Sequence, residues 1–108
     1  MDNVLSDLYA TVSARKETPE DGSYTAYLFD KGLDKILKKC GEECAEVIIA
    51  AKNNDSDELC CEVADLLYHL TVLMVHQGLT VEAVAGELDR RAQKQGNLKQ
   101  FHTVEKNS

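Results

Sequence analysis

The sequence EECAEVIIAAKNNDSDELCCEVAD, residues 42–65, combines helical periodicity with two clusters of carboxylates. Its middle, NNDS at residues 53–56, is typical of a tight connection between helices. Asp55 with Glu58 three residues later predicts a capping box for the helix that follows. The stretch therefore predicts two antiparallel helices that are joined by a short loop and that both carry acidic side chains.

Apolar residues at helical spacing extend this pattern in both directions along the chain. Ser23 and Thr80 are candidate caps of the second and fourth helical regions, and Gly32 is a candidate break in the second. Residues 15–22 contain Pro, Asp and Gly and predict a flexible connector, and residues 97–108 predict a frayed tail. The four predicted helical regions cover residues 2–14, 23–51, 56–76 and 81–95.

The chain as a whole predicts a single all-α domain over residues 1–108, an antiparallel bundle of four to five helices. It has one Pro, no strand-like alternation and no internal repeat. The long helices also carry apolar residues away from their main stripes. Because one small bundle cannot cover two apolar faces per helix, these residues predict a homo-oligomer, most simply a dimer that forms through helix faces.

Charge and composition exclude several classes of partner. The formal net charge is −7, which argues against binding to nucleic acid or to an anionic membrane. No stretch approaches the ~20 uninterrupted apolar residues of a membrane span, and the N-terminus does not resemble a secretory signal. We therefore expect a cytoplasmic protein whose four cysteines are reduced. The spacing of the cysteines does not match a zinc knuckle. We therefore interpret them as small core residues.

Two groups of acidic side chains are predicted to face each other across the helix pair. Glu42, Glu43 and Glu46 lie on one side of the first helix, and Glu62 and Asp65 form an i,i+3 pair on the second. Carboxylates this close repel one another unless a cation or protons compensate them. Hard cations such as Mg²⁺ or Mn²⁺ prefer oxygen ligands, so the pattern predicts a metal site. The alternative is a solvated acidic surface.

A ladder of lysines precedes the first acidic group. Lys31, Lys35 and Lys39 are four residues apart, so they share one side of the helical region. Two interpretations remain open from the residues alone. The lysines either pair with carboxylates along the helix or contact substrate phosphates beside the metal. Arg90 and Arg91 could also contact phosphate, but their position near a helix C-terminus favours stabilisation of the helix dipole.

The motif Glu42-Glu43-x-x-Glu46 followed by Glu62-x-x-Asp65 resembles the signature of the all-α, MazG-like nucleoside triphosphate pyrophosphohydrolases. Its surroundings resemble one family among them, the phosphoribosyl-ATP pyrophosphatases. That resemblance extends from Leu5 to Arg91. It rests on these segments: GSYTAYLF at 22–29, KGLDKI at 31–36, KKCGEE at 38–43, AAKN at 50–53 and EVADLLYHL at 62–70.

The resemblance implies hydrolysis of the α–β phosphoanhydride of phosphoribosyl-ATP, which is the second step of histidine biosynthesis. It also implies Mg²⁺, with Mn²⁺ as a substitute, and a dimer or higher homo-oligomer. A separate phosphoribosyl-AMP cyclohydrolase would be at most a transient partner. Because substrate and protein are both anionic, metal must arrive with or before the nucleotide.

Residue roles follow from the resemblance together with this chemistry. The predicted metal ligands are Glu43, Glu46, Glu62 and Asp65. Glu42 is predicted to orient or deprotonate the attacking water, and Glu42 and Glu43 could exchange these roles. Lys35, Lys39 and Lys52 are candidate phosphate contacts; Ser23, Tyr24 and Thr25 are candidate contacts to the nucleotide or phosphoribosyl group.

Two other functions compete with this one. A related pyrophosphatase for free or non-canonical nucleoside triphosphates would use the same acids with a different substrate pocket. A non-enzymatic helical dimerisation module would carry an acidic surface and need no metal. Substrate preference separates the first from phosphoribosyl-ATP hydrolysis, and metal dependence separates the second.

Overall fold

The computed structural model describes residues 3–94, and these residues form five α-helices and no strand. The predicted all-α bundle is thus confirmed, whereas the tail predicted at residues 97–108 lies outside the described residues. In chain order the helices are α1 (Val4–Glu17), α2 (Tyr24–Lys31), α3 (Leu33–Lys52), α4 (Ser56–Gln77) and α5 (Val81–Ala92).

Three helices begin at side-chain caps that the sequence predicts. Ser23, Asp55 and Thr80 precede α2, α4 and α5, and each has an extended backbone with a side-chain oxygen that accepts a hydrogen bond. The donors are the backbone amides of Ala26, Glu58 and Ala83, at 3.1, 3.0 and 3.1 Å. Each cap satisfies an amide that the first helical turn leaves without an internal partner, which fixes where the helix begins.

Gly32 separates α2 from α3, as predicted. Its φ of 94° lies in the region that L side chains rarely adopt, so the chain turns there without strain only because the residue is glycine. The predicted connector at residues 15–22 begins too early, because residues 15–17 belong to the last turn of α1. Arg15 and Lys16 stabilise this extra turn because cations favour the negative end of a helix.

Helices α3 and α4 form the central antiparallel pair, joined by the short loop at residues 53–55. Helix α1 packs against α4, and α2 contacts α1, α3 and α4. Among the described helices, α5 contacts only α1 and has no buried residue. The core lies where the first four helices meet, and its buried side chains are Val12, Leu28, Ile36, Cys40, Val72 and Val75.

A large apolar surface remains on the outside of the central pair. Ile48 and Ile49 of α3 are 63% and 54% exposed. On α4, Val63, Leu67 and Leu70 are 38%, 42% and 37% exposed and are spaced so that they share one face. Exposed apolar side chains on both helices of the central pair indicate a candidate interaction surface.

Helix α4 is long and apolar enough to cross a membrane by length and composition alone. It nevertheless packs against α1, α2 and α3 and carries four carboxylates in its first half, Asp57, Glu58, Glu62 and Asp65. A central bundle helix meets the same criterion, because it is also apolar on more than one side.

Candidate metal centre

The antiparallel packing of α3 and α4 brings carboxylates from both helices together. One carboxylate oxygen from each of Glu43, Glu62 and Asp65 lies within 4.8 Å of the others. Glu62 and Asp65 share a face of α4 because they are three residues apart, and that face meets α3 at Glu43. We call these three residues the acidic triad. The structure thus brings together three of the four predicted metal ligands.

Without a cation, the carboxylates of the triad repel one another. The oxygen Oε1 of Glu43 is buried and has no hydrogen-bond partner. A hydrogen-bonding contact with the Glu58 carboxyl, together with partial desolvation and the nearby Glu43 carboxyl, raises the pKa of Glu62 from an ordinary 4.5 to about 7. A proton on Glu62 therefore relieves part of the repulsion that the packing creates.

The donor set of the triad fits a hard divalent cation. All three residues offer carboxylate oxygens, which Mg²⁺ and Mn²⁺ prefer, and two helices hold these oxygens at a mutual distance within 4.8 Å. The partnerless Oε1 of Glu43 supports this fit, because a buried polar atom normally has a partner. Glu43, Glu62 and Asp65 are thus the residues that would hold such an ion.

Two other predicted acids lie outside the triad. Glu46 is exposed one turn beyond Glu43 on α3 and does not belong to the group within 4.8 Å. Glu42 is also exposed and forms an ion pair with Lys39, with Nζ and Oε1 3.1 Å apart. The hydrogen bond from the Lys39 ammonium lowers the pKa of the Glu42 carboxyl. Glu42 is therefore a weaker proton acceptor than an isolated glutamate would be.

Glu58 belongs to the site, although it is not among the ligands or catalytic residues predicted from the sequence. It stands one turn before Glu62 on α4, and its contact is the first cause of the raised pKa of Glu62. The i,i+4 spacing of the two glutamates was the available signal in the sequence. A prediction of metal ligands alone overlooks such a residue, because its effect depends on how closely two like charges approach.

The start of α2 is hydrogen-bonded to α4 beside the triad. The Tyr24 hydroxyl lies 3.0 Å from Nε2 of His69, and Nδ1 of His69 lies 2.8 Å from the backbone oxygen of Asp65. A carbonyl oxygen only accepts, so Nδ1 donates to Asp65, and Nε2 is left to pair with the Tyr24 hydroxyl. Thr25 forms a second hydrogen bond, with the hydroxyl of Tyr68. Ser23 uses its hydroxyl to cap α2.

The candidate phosphate contacts lie at different distances from the triad. Lys39 is next to it through Glu42, and the charge of Lys35 also acts on Glu42. Lys52 stands in the last turn of α3, nine residues from Glu43 and so about 14 Å along the helix axis. The structure therefore brings Lys35 and Lys39 toward the site and leaves Lys52 away from it.

Known proteins share this chain's sequence over nearly its whole length. Residues 5–92 match the family model described as phosphoribosyl-ATP pyrophosphohydrolase. A phosphoribosyl-ATP pyrophosphatase of Limosilactobacillus fermentum is 62% identical over 87 residues, which cover 81% of this chain and 82% of the relative. One of Clostridium botulinum is 51% identical over 105 residues, 96% of each chain.

A similar sequence also forms part of a longer relative. The histidine biosynthesis bifunctional protein HisIE of Caldanaerobacter subterraneus is 53% identical over 91 residues, which are 84% of this chain and 44% of that protein. The resemblance seen in the sequence motifs is thus confirmed by matches that include both acidic segments. The chain belongs to the phosphoribosyl-ATP pyrophosphohydrolase family.

Proposed function

We propose that this chain hydrolyses phosphoribosyl-ATP to phosphoribosyl-AMP and pyrophosphate in histidine biosynthesis, with Mg²⁺ held at the acidic triad and Mn²⁺ as a substitute. The family of the chain supports the reaction. The observation that supports the metal is the convergence of Glu43, Glu62 and Asp65, whose oxygens lie within 4.8 Å of one another. Glu46 is proposed as a further ligand because it follows Glu43 by one turn.

When bound, the cation supplies charge neutralisation for the phosphates and lowers the pKa of a coordinated water. The residues of the chain then divide the remaining work. Glu43, Glu62 and Asp65 would hold the ion and, through it, would position the reacting phosphates. Lys39 places positive charge beside this group, where a polyphosphate needs it.

We assign Glu42 to orienting the attacking water. Its carboxylate is exposed beside the triad, and Lys39 holds it 3.1 Å away through an ion pair that lowers its pKa. A carboxylate that keeps its charge accepts a hydrogen bond from water readily but is a poor acceptor for the proton itself. Removal of that proton would fall to Glu43 in this scheme, through the carboxylate oxygen that does not hold the ion.

We also propose that the chain works as a cytoplasmic homodimer. The exposed apolar side chains of the central helix pair support this assembly; they are Ile48, Ile49, Val63, Leu67 and Leu70. Each Å² of apolar surface that association buries contributes about 25 cal/mol of favourable free energy. A transient contact with a phosphoribosyl-AMP cyclohydrolase is proposed on chemical grounds, since that enzyme consumes the product.

The first prediction concerns substrate and metal dependence. With Mg²⁺, the chain should release pyrophosphate from phosphoribosyl-ATP faster than from ATP, dCTP or dUTP, and EDTA should abolish the release. Glu62→Gln and Asp65→Asn should each lower kcat/KM by more than about a hundredfold, because each removes a metal ligand. Glu17→Gln on α1 is the matched control and should keep full activity.

Two results would argue against this function. A clear preference for a free triphosphate would indicate the related pyrophosphatase instead. Turnover that persists in EDTA, or in both triad variants, would exclude the metal assignment.

The second prediction concerns pH and the metal-free chain. Because the pKa of Glu62 is about 7 when folded against an ordinary 4.5, its proton favours folding below about pH 4.5, and this contribution disappears as pH rises through 7. Glu62→Gln mimics the protonated form at every pH. In EDTA, the Tm of Glu62→Gln minus that of the wild type should therefore grow between pH 5 and pH 8, as measured by thermal unfolding.

At pH 8, Mg²⁺ should reduce the Tm difference between Glu62→Gln and the wild type. The ion stabilises the charged triad of the wild type, whereas the variant has lost a ligand and is stabilised little. A Tm difference that is constant with pH, or that grows toward acid, is incompatible with the raised pKa.

The third prediction concerns the dimer. Sedimentation at micromolar concentration should give twice the 12.0 kDa of one chain. Leu67→Asp, in the middle of the apolar surface, should give a folded monomer because a charge cannot be buried unpaired. Val4→Asp introduces the same charge at the 52% exposed start of α1 and should remain dimeric. A monomeric wild type contradicts the proposal.

A further inference from the structure

Three tyrosines form an open aromatic surface next to the acidic triad. The ring of Tyr24 is nearly parallel to those of Tyr27 and Tyr68, with centroids 6.0 and 6.1 Å away and interplanar angles of 25° and 29°. Aromatic rings that meet at a bundle core usually bury most of their area. Here Tyr24 and Tyr27 remain 44% and 41% exposed. We call Tyr24, Tyr27 and Tyr68 the tyrosine surface.

Hydrogen bonds hold this surface in place. His69 is only 5% exposed and fixes the Tyr24 hydroxyl, while Thr25 bonds to the Tyr68 hydroxyl. Two successive residues of α2 are thus joined to two successive residues of α4. An exposed ring with an anchored hydroxyl is pre-organised, so a ligand that stacks on it loses less entropy in ordering the site.

The tyrosine surface lies close to the place where the phosphates would be held. His69 donates to the backbone oxygen of Asp65, and Tyr68 follows Asp65 by three residues, about 4.5 Å along the axis of α4. The charges of Lys39 and Glu43 both act on the Tyr24 hydroxyl. A ligand held at the triad therefore reaches the rings within about one helical turn.

Two lysines of the same helical region lie over the Tyr27 ring. The ammonium nitrogens of Lys31 and Lys35 lie 5.9 and 5.8 Å from the centroid of the Tyr27 ring. This distance is within the range of cation–π attraction, which keeps both ammonium groups near the ring. On a chain of net charge −7, the pair forms a local site for an anion next to an aromatic face.

We propose that the tyrosine surface binds the purine base of the substrate and that Lys31 and Lys35 bind the phosphate of the ribosyl group attached to that base. This inference rests on the proposed function. It follows the order of groups in the molecule: the scissile anhydride, one ribose, the purine, then the phosphorylated second ribose. Tyr24 is joined through His69 to the segment of α4 that carries Asp65, and Tyr27 with its two lysines follows Tyr24 by three residues on α2. ATP lacks the last group, so the lysines would provide selectivity.

The test measures ligand binding directly, by calorimetry with the full chain and Mg²⁺, using AMP, phosphoribosyl-AMP and pyrophosphate as probes. Tyr27→Leu removes the ring and should weaken AMP about tenfold, because stacking of one base contributes ~1–3 kcal/mol. Tyr27→Phe keeps the ring and should bind AMP as the wild type does. Pyrophosphate has no base, and its affinity should be equal in both variants.

The lysines are tested in the same way. Lys31→Gln and Lys35→Gln should weaken phosphoribosyl-AMP by about fivefold or more while AMP is little changed, and Lys16→Gln at the end of α1 is the charge control. Equal AMP affinity in Tyr27→Leu and Tyr27→Phe would overturn the base assignment. Equal loss of both nucleotides in the lysine variants would overturn the phosphate assignment. Failure of the wild type to hydrolyse phosphoribosyl-ATP would instead contradict the proposed function, since calorimetry requires no turnover.

Discussion

Repulsion between carboxylates at the contact of α3 and α4 is the constraint on which the site depends. Two helices hold Glu43 against Glu62 and Asp65, and Glu58 adds a further negative charge. Water would relieve the repulsion if the group were fully open, but Oε1 of Glu43 is buried without a partner. The packing therefore stores an electrostatic cost that a proton relieves in part and that a divalent cation relieves more fully.

The rest of the fold keeps these charges together. The loop at residues 53–55 and the Asp55 cap set the register of α3 against α4, and apolar burial beside the triad resists separation of the helices. Helix α2 is fastened to α4 by Tyr24 and Thr25. The same two links leave aromatic rings open beside the acids. The acidic triad, the proposed surface for the purine base and the lysines beside it thus lie where α2, α3 and α4 meet.

Local signals in the sequence were sufficient for most of the architecture. Cap residues such as Ser23, Asp55 and Thr80 act on neighbouring amides, so their effect can be predicted without tertiary structure. Convergence of the triad also followed from spacing and from one short loop. The exposure of Glu46 and the bond between His69 and Tyr24 did not follow, because both depend on how far each helix is rotated. Residue spacing defines a face but leaves that rotation open by a fraction of a turn.

The most direct test of the central claim is a titration of the chain with Mn²⁺, in which electron paramagnetic resonance counts the free ion. The wild type should bind Mn²⁺ more tightly at pH 8 than at pH 6, because the proton on Glu62 competes with the metal. Glu43→Gln should lose most of this binding, whereas Glu17→Gln should retain it. Equal Mn²⁺ binding by Glu43→Gln and the wild type would contradict a metal held at the triad.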